Sequence, residues 1–141
     1  MSRELQVVWV AGFIDGEGTI GVSYFKSTGT YYLHITVPQT HRKPLEVLLE
    51  TFGGNIWNRP IPKNPKHKQQ CYWRVTRKLA ASVLNELLPY LVLKKEQAEL
   101  GIVFQARIGQ PSIRLPEGEH EKRAKIIQEL KYLNNKEDGN A

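Results

Sequence analysis

The sequence predicts an α+β domain in which helices cover one face of an antiparallel sheet and leave the other face open. Three observations carry this expectation. Apolar residues recur at helical spacing near the N-terminus, two pairs of Thr-, Val-, Ile- and Tyr-rich segments alternate with period two, and the order along the chain is helix, strand, strand, helix, strand, strand, then helices. A length of 141 residues suits one compact domain, expected over residues 1–133, with 134–141 as a flexible tail.

The first helix is expected over residues 4–15, where Leu5, Val8, Trp9, Val10, Phe13 and Ile14 repeat, and Gly16-Glu17-Gly18 should stop it near Asp15. Residues 19–26 and 30–37 read as a hairpin about Ser27-Thr28-Gly29. Ile20, Val22 and Tyr24 share one face with Tyr31, Leu33, Ile35 and Val37, which leaves Thr19, Gly21, Ser23, Phe25, Thr30, Tyr32, His34 and Thr36 on the other. A second helix at 43–52 ends on Gly53-Gly54. Strands at 55–60 and 70–76 follow, with Ile56, Cys71, Trp73 and Val75 inward and Asn55, Trp57, Arg59, Gln70, Tyr72 and Arg74 continuing the polar face. Helical patterns then cover 77–88 and 94–107, broken at Pro89, and a charged helix runs from 117 to 133 after an irregular stretch with Pro111 and Pro116.

The chain carries 20 Lys+Arg against 14 Asp+Glu, and the excess is local. Residues 56–96 hold nine basic side chains and two acidic ones, and no acid falls between Glu50 and Glu86. A basic segment can be only a solvated face. Here Asn, Gln, Trp and Tyr interleave with the cations, which is the mixture that grips phosphates and reads base edges, so nucleic acid is the favoured partner. One cysteine, Cys71, excludes an internal disulfide and a Cys-rich zinc site and reads as a small buried hydrophobe. No stretch is apolar enough to span a bilayer and the N-terminus lacks a secretory segment, so an intracellular chain is expected.

Two features of Trp9 to Gly18 are physically unusual. Val8, Ala11, Gly12 and Asp15 fall at i, i+3, i+4 and i+7, a small-residue stripe on which a second helix can pack closely. Asp15 and Glu17 also sit at a helix C-terminus, where the macrodipole disfavours carboxylates. A bound divalent cation would compensate, and Mg²⁺ accepts carboxylate and carbonyl oxygens while keeping several waters. An ordinary helix-to-strand turn with solvated acids is the alternative.

Val10-Ala11-Gly12-Phe13-Ile14-Asp15-Gly16-Glu17-Gly18 resembles the LAGLIDADG motif of homing endonucleases, with Val for the first Leu and Glu for the second Asp. The family core is an αββαββα domain whose saddle-shaped sheet lies on DNA, and the element order above matches it through residue 107, with additional C-terminal helices. The resemblance places catalytic metal on Glu17, helped by the Gly16 carbonyl, and gives Asp15 a role at the helix end and partner interface. Gln39, in Val37-Pro38-Gln39-Thr40, resembles the residue that orders water near the scissile phosphate. Lys94, in Leu91-Val92-Leu93-Lys94-Lys95-Glu96-Gln97, resembles the active-site lysine, which acts on a nucleophilic water or on developing phosphate charge. Arg42 or Lys43 is a further candidate cation. Taken singly, Gln39 also suits a strand-end cap and Lys94 a surface lysine.

No second motif occurs in the chain, so the resemblance implies a homodimer joined through Val8, Ala11, Gly12 and Asp15. The expected activity is Mg²⁺-dependent double-strand cleavage at a long pseudo-palindromic DNA site, leaving 3′ overhangs, with Mn²⁺ able to substitute and an intron or intein as the host element. Base reading is expected from Ser23, Phe25, Thr30, Tyr32, His34, Thr36, Trp57, Arg59, Gln70, Tyr72 and Arg74, with Lys63, Lys66 and Lys68 mainly on phosphates. The alternatives are an intron RNA maturase of the same fold and a non-catalytic DNA-binding regulator.

Overall fold

The computed structural model describes residues 1–108 and 117–137. Its elements run α1 (Arg3–Glu17), β1 (Thr19–Phe25), β2 (Thr30–Gln39), α2 (Arg42–Phe52), β3 (Asn55–Asn58), β4 (Cys71–Thr76), α3 (Arg77–Leu87), a 3-10 turn at Leu88–Tyr90, α4 (Lys95–Ile108) and α5 (Glu119–Glu137). The order is the expected one. The irregular stretch with Pro111 and Pro116 lies outside the described residues.

Helix α1 starts on Ser2, whose Oγ accepts the Leu5 N–H at 3.2 Å. It ends two residues beyond the expected stop. Gly16 is accommodated within the helix, and termination waits for Gly18, which turns extended while its N–H still reaches the Ile14 carbonyl at 2.9 Å. A Cβ on Gly18 would stand 3.0 Å from that carbonyl oxygen, so the close crossing from helix to strand favours glycine. Helix α2 ends as expected on Gly53, at φ 78°.

The sheet is antiparallel in the order β1-β2-β4-β3, so the two hairpins join through β2 and β4 at its centre. Ile20 pairs with Ile35 and Val22 with Leu33, while Val37 pairs with Trp73 and Ile35 with Val75. This register puts Ile20, Leu33, Ile35, Val37, Cys71, Trp73 and Val75 on the helix-covered face, buried with Ile14, Leu45, Leu48, Leu84, Leu87 and Phe104. The indole N–H of Trp73 is satisfied by the Gly53 carbonyl at 2.8 Å. Cys71 is buried and its Sγ lies 3.3 Å from the Gln39 carbonyl.

Helix α5 continues through 134–137, where a flexible tail was expected, because Asn134 donates to the Ile20 carbonyl at 3.1 Å and fastens the helix to β1. Residues 138–141 lie outside the described residues. Glu119 bridges α5 to α4, meeting Arg107 at 3.0 Å and Arg123 at 3.1 Å. No helix among the described residues is long and apolar enough to cross a membrane.

Candidate nucleic-acid interface and catalytic end

The sheet face away from the core carries Thr19, Gly21, Ser23 and Phe25 opposite Thr36, His34, Tyr32 and Thr30, then Arg74 and Tyr72 opposite Asn55 and Trp57. These are the expected positions. Their side chains form one connected surface instead of a row of independent groups. The Arg59 guanidinium sits 4.6 Å from the Tyr72 ring centroid, Tyr72 stacks on Trp57 at 5.4 Å, and Arg74 lies 5.8 Å from the Trp57 ring. Each of the two cation–ring contacts is worth about 0.5–1 kcal/mol at an exposed site. The aromatics expected to read bases thus serve first to hold arginines. Arg77, one of the nine basic side chains of residues 56–96 but outside the expected base readers, lies 5.2 Å over Tyr32 with its backbone at φ 56°. It opens α3 directly after β4, and an arginine, unlike Asn, Asp or His, gives no sequence signal for a φ above zero.

His34 is a correction of a different kind. Its side chain is largely buried, with both ring nitrogens engaged: Nε2 is 3.0 Å from Ser23 Oγ and Nδ1 3.0 Å from Thr36 Oγ1. Burial, and secondarily the charge of Arg74, lower its pKa from 6.5 to about 4, so the imidazole is neutral at neutral pH. Thr36 is also engaged, accepting the Arg74 Nε–H at 2.8 Å, while Arg74 Nη1 donates to the Tyr32 hydroxyl at 3.4 Å. A cleft of about 320 Å³ opens among Thr19, His34, Thr36, Pro38, Arg59, Gln70, Tyr72 and Arg74, with the little of His34 that is exposed at its floor. The Tyr72 hydroxyl is shielded from solvent and has no partner among the described residues. Phe25 and Thr30 stand exposed at the hairpin end, and Lys63, Lys66 and Lys68 stand exposed on the loop between β3 and β4. That loop is closed by Arg59 N–H to the Gln70 carbonyl at 2.8 Å and by Gln69 Nε2 to the Arg59 carbonyl at 2.8 Å.

At one end of this face, α1 delivers Glu17 as its last residue, exposed, one glycine before β1 begins. Asp15 is held differently. Its Oδ2 accepts the Val92 N–H at 2.8 Å and its Oδ1 the Lys94 N–H at 3.0 Å, while Lys94 Nζ donates to the Asp15 carbonyl at 2.9 Å. Lys94 is only 6% exposed, so it is no ordinary surface lysine. Its ammonium is fixed at the negative pole of α1, two residues from Glu17, and Asp15 at the helix end is compensated by backbone donors. Gln39 behaves as a strand-end cap: its Oε1 accepts the N–H groups of Thr40 at 2.9 Å and His41 at 3.4 Å. Arg42 pairs with Glu46 at 3.4 Å on the α2 surface.

The donor set suits a hard divalent cation only in part. Among the described residues no three His, Cys, Asp or Glu side chains cluster, and each Asp15 oxygen already accepts a backbone N–H. One chain offers the Glu17 carboxylate and, because Gly18 takes the Ile14 carbonyl and Lys94 the Asp15 carbonyl, the Gly16 carbonyl as the next orphan acceptor. One carboxylate with a carbonyl and waters is a donor set that Mg²⁺ accepts.

The expected helix-pairing stripe is rotated. Ala11 is fully buried in its own core beside Val7, Val10 and Ile14, and Asp15 faces the Val92–Lys94 segment ahead of α4, so only Val8 and Gly12 of the four lie outward. The outer face of α1 is instead Leu5, Val8, Trp9, Gly12 and Gly16, and a Cβ on either glycine would meet nothing within 4 Å. Val92 and Leu93 add exposed apolar surface beside it.

No protein-family model matches the sequence, and neither does any curated protein. Solved structures do match. The homing endonuclease I-CvuI, solved in complex with its target, is 22% identical with a TM-score of 0.70 over 93% of this chain and 83% of its own. The archaeal intron-encoded homing endonuclease I-Vdi141I, solved with DNA, is 19% identical with a TM-score of 0.74 over 94% of this chain and 86% of its own. The LAGLIDADG homing endonuclease I-LtrWI, bound to target DNA, is 22% identical with a TM-score of 0.62 over 86% of this chain but 42% of its own. The protein therefore has the fold of the LAGLIDADG homing endonucleases.

Proposed function

We propose that the protein is a homodimeric, divalent-metal-dependent, site-specific DNA endonuclease that cuts both strands of a pseudo-palindromic site and leaves 3′ overhangs. The observation that carries this is the placement of Glu17: a solvent-facing carboxylate at the end of a helix whose outer face is apolar and bared by two glycines, at the edge of an open cationic sheet. The structural neighbours bound to DNA agree with it. Pairing of α1 with its copy about a two-fold axis brings two Glu17 side chains together and extends the reading face over two half-sites. The match to under half of I-LtrWI fits one chain standing for half of an active assembly.

Glu17 and the Gly16 carbonyl would hold Mg²⁺, with Mn²⁺ as a substitute. When bound, such a cation supplies Lewis-acid charge for the attacking and leaving oxygens of phosphodiester hydrolysis. Lys94 contributes a fixed positive charge beside the scissile phosphate, preorganised by its bond to the Asp15 carbonyl. Because the Gln39 carbonyl oxygen is spent on Thr40 and His41, its amide NH₂ is the end left to orient a water or a phosphate oxygen. The aromatic-braced arginines and the polar residues of β1, β2 and β4 read base edges, and Lys63, Lys66 and Lys68 grip phosphates.

The test exposes a randomised duplex library to wild type and Glu17→Gln in Mg²⁺ and sequences the new ends. One pseudo-palindromic site cut by wild type alone, with binding kept by Glu17→Gln, is the expected result. Equal cutting by both proteins would remove Glu17 from the metal site. Selection of DNA without cutting by either would make the protein a regulator, and no DNA selection would turn attention to intron RNA.

A further inference from the structure

His34 lies at the middle of the sheet's polar face yet is only 9% exposed. Directly across β1 from it is Gly21, and a Cβ there would stand 3.2 Å from the imidazole Nε2 and 3.3 Å from Cε1. Glycine lets the ring lie across the strand and reach Ser23 Oγ at 3.0 Å. The other ring nitrogen meets Thr36 Oγ1 at 3.0 Å, and Thr36 Oγ1 accepts from Arg74 Nε at 2.8 Å. Ser23, His34, Thr36 and Arg74 thus make one unbroken line from β1 through β2 to β4.

The direction of this line follows from Arg74, because a guanidinium only donates. A hydroxyl accepting from a cation is polarised as a donor, and the acceptor within reach of Thr36 is the lone pair of His34 Nδ1. The opposite arrangement would aim an imidazole N–H at an oxygen already facing a positive charge. With Nδ1 accepting, the single proton of the neutral ring sits on Nε2 and points at Ser23. Ser23 then accepts, and its own hydroxyl proton is directed away from His34. Arg74 meanwhile is held on three sides, by Thr36, by the Tyr32 hydroxyl and by the Trp57 ring.

We propose that Thr36, His34 and Ser23 form a directional relay that fixes Arg74 and makes Ser23 a hydrogen-bond donor to DNA, so that both read acceptor-rich purine edges while both ring nitrogens of His34 are spent inside the relay. This rests on the DNA-reading function above. Guanine is the base of choice for Arg74, since its O6 and N7 accept a bidentate pair in the major groove.

Long-range ¹H–¹⁵N NMR of the full chain, labelled at histidine and held at pH 7 without DNA, reads the relay directly. The expected result is His34 protonated at Nε2 in wild type and in Thr36→Ser, with mixed tautomers in Thr36→Val. An Nδ1-protonated or cationic His34 in wild type would overturn the relay. Site selection from a randomised duplex library in Ca²⁺ reads its consequence. Thr36→Val should lose roughly tenfold or more of base preference at the Arg74 position and Ser23→Ala at its own position, other positions staying as in wild type, and Thr36→Ser should restore the profile. Uniform weakening, or an unchanged profile, would remove these residues from specificity. Ser23→Ala changes a half-buried surface hydroxyl and keeps the test decisive should Thr36→Val fail to fold. If wild type selects no DNA, the endonuclease reading and the reader role fall together, while the tautomer still decides whether the relay exists.

Discussion

Arg74 and Lys66 are both cations of the open face, and removing them should produce different losses. Arg74 is braced by Thr36, Tyr32 and Trp57, so its donors arrive in a fixed direction. Lys66 stands exposed on a loop. Arg74→Ala should relax preference at one base position in each half-site, whereas Lys66→Ala should weaken all sequences alike and reduce the salt slope by about one. A binding profile over single-base variants, taken at two salt concentrations, separates the two. His34 makes a prediction without DNA. Its pKa is about 4 in the folded chain and 6.5 in the unfolded one, so between these values the unfolded state binds a proton that the folded state refuses. Stability should therefore fall as pH drops from 6.5 to 4, by about 3 kcal/mol in full, and His34→Gln should lose that slope in urea titrations run across the window.

Elements meet here through a few capping groups, and two of these can be tested by substitution. Asp15→Asn keeps one acceptor for two N–H groups and loses the charge, so the approach to α4 should loosen at a cost of about 1–2 kcal/mol, read as a lower urea midpoint. Gly54→Ala should cost on the order of 2 kcal/mol, because φ is 92° and the new Cβ would lie 2.7 Å from the Arg74 carbonyl oxygen. Differential hydrogen exchange should show that loss at the junction of β3 and β4. Local signals made much of this architecture readable in advance. Period-two alternation assigned both faces of all four strands, and Gly53-Gly54 marked the end of α2. Contacts distant in sequence were not readable. Nothing near Asp15 announces Val92 or Lys94, nothing in β1 announces that Asn134 will hold it, and the β2–β4 pairing depends on how both hairpins dock. Ala11 was misplaced because small residues at helical spacing suit a partner helix and the chain's own core equally well. The site was legible as a set of residue types; which of them brace their neighbours is decided by side-chain packing, which the sequence does not spell out.

For the whole molecule, the decisive surface is the outer face of α1. Gly12→Glu puts a charge into open space, so the fold should tolerate it while the helix pair should not form. Sedimentation equilibrium should find twice the chain mass for wild type and the single mass for the variant, with cutting lost. The junction at Gly18 sets a further property. Only this residue separates Glu17 from the first residue of β1, and its N–H is tied to the Ile14 carbonyl. From Thr19 to Phe25 the strand advances six residues at about 3.3 Å each, close to the rise of six base pairs at about 3.4 Å. On the endonuclease reading, β1 is a ruler whose zero mark is the carboxylate, and the distance from cut to each base read is set by counting residues along the strand.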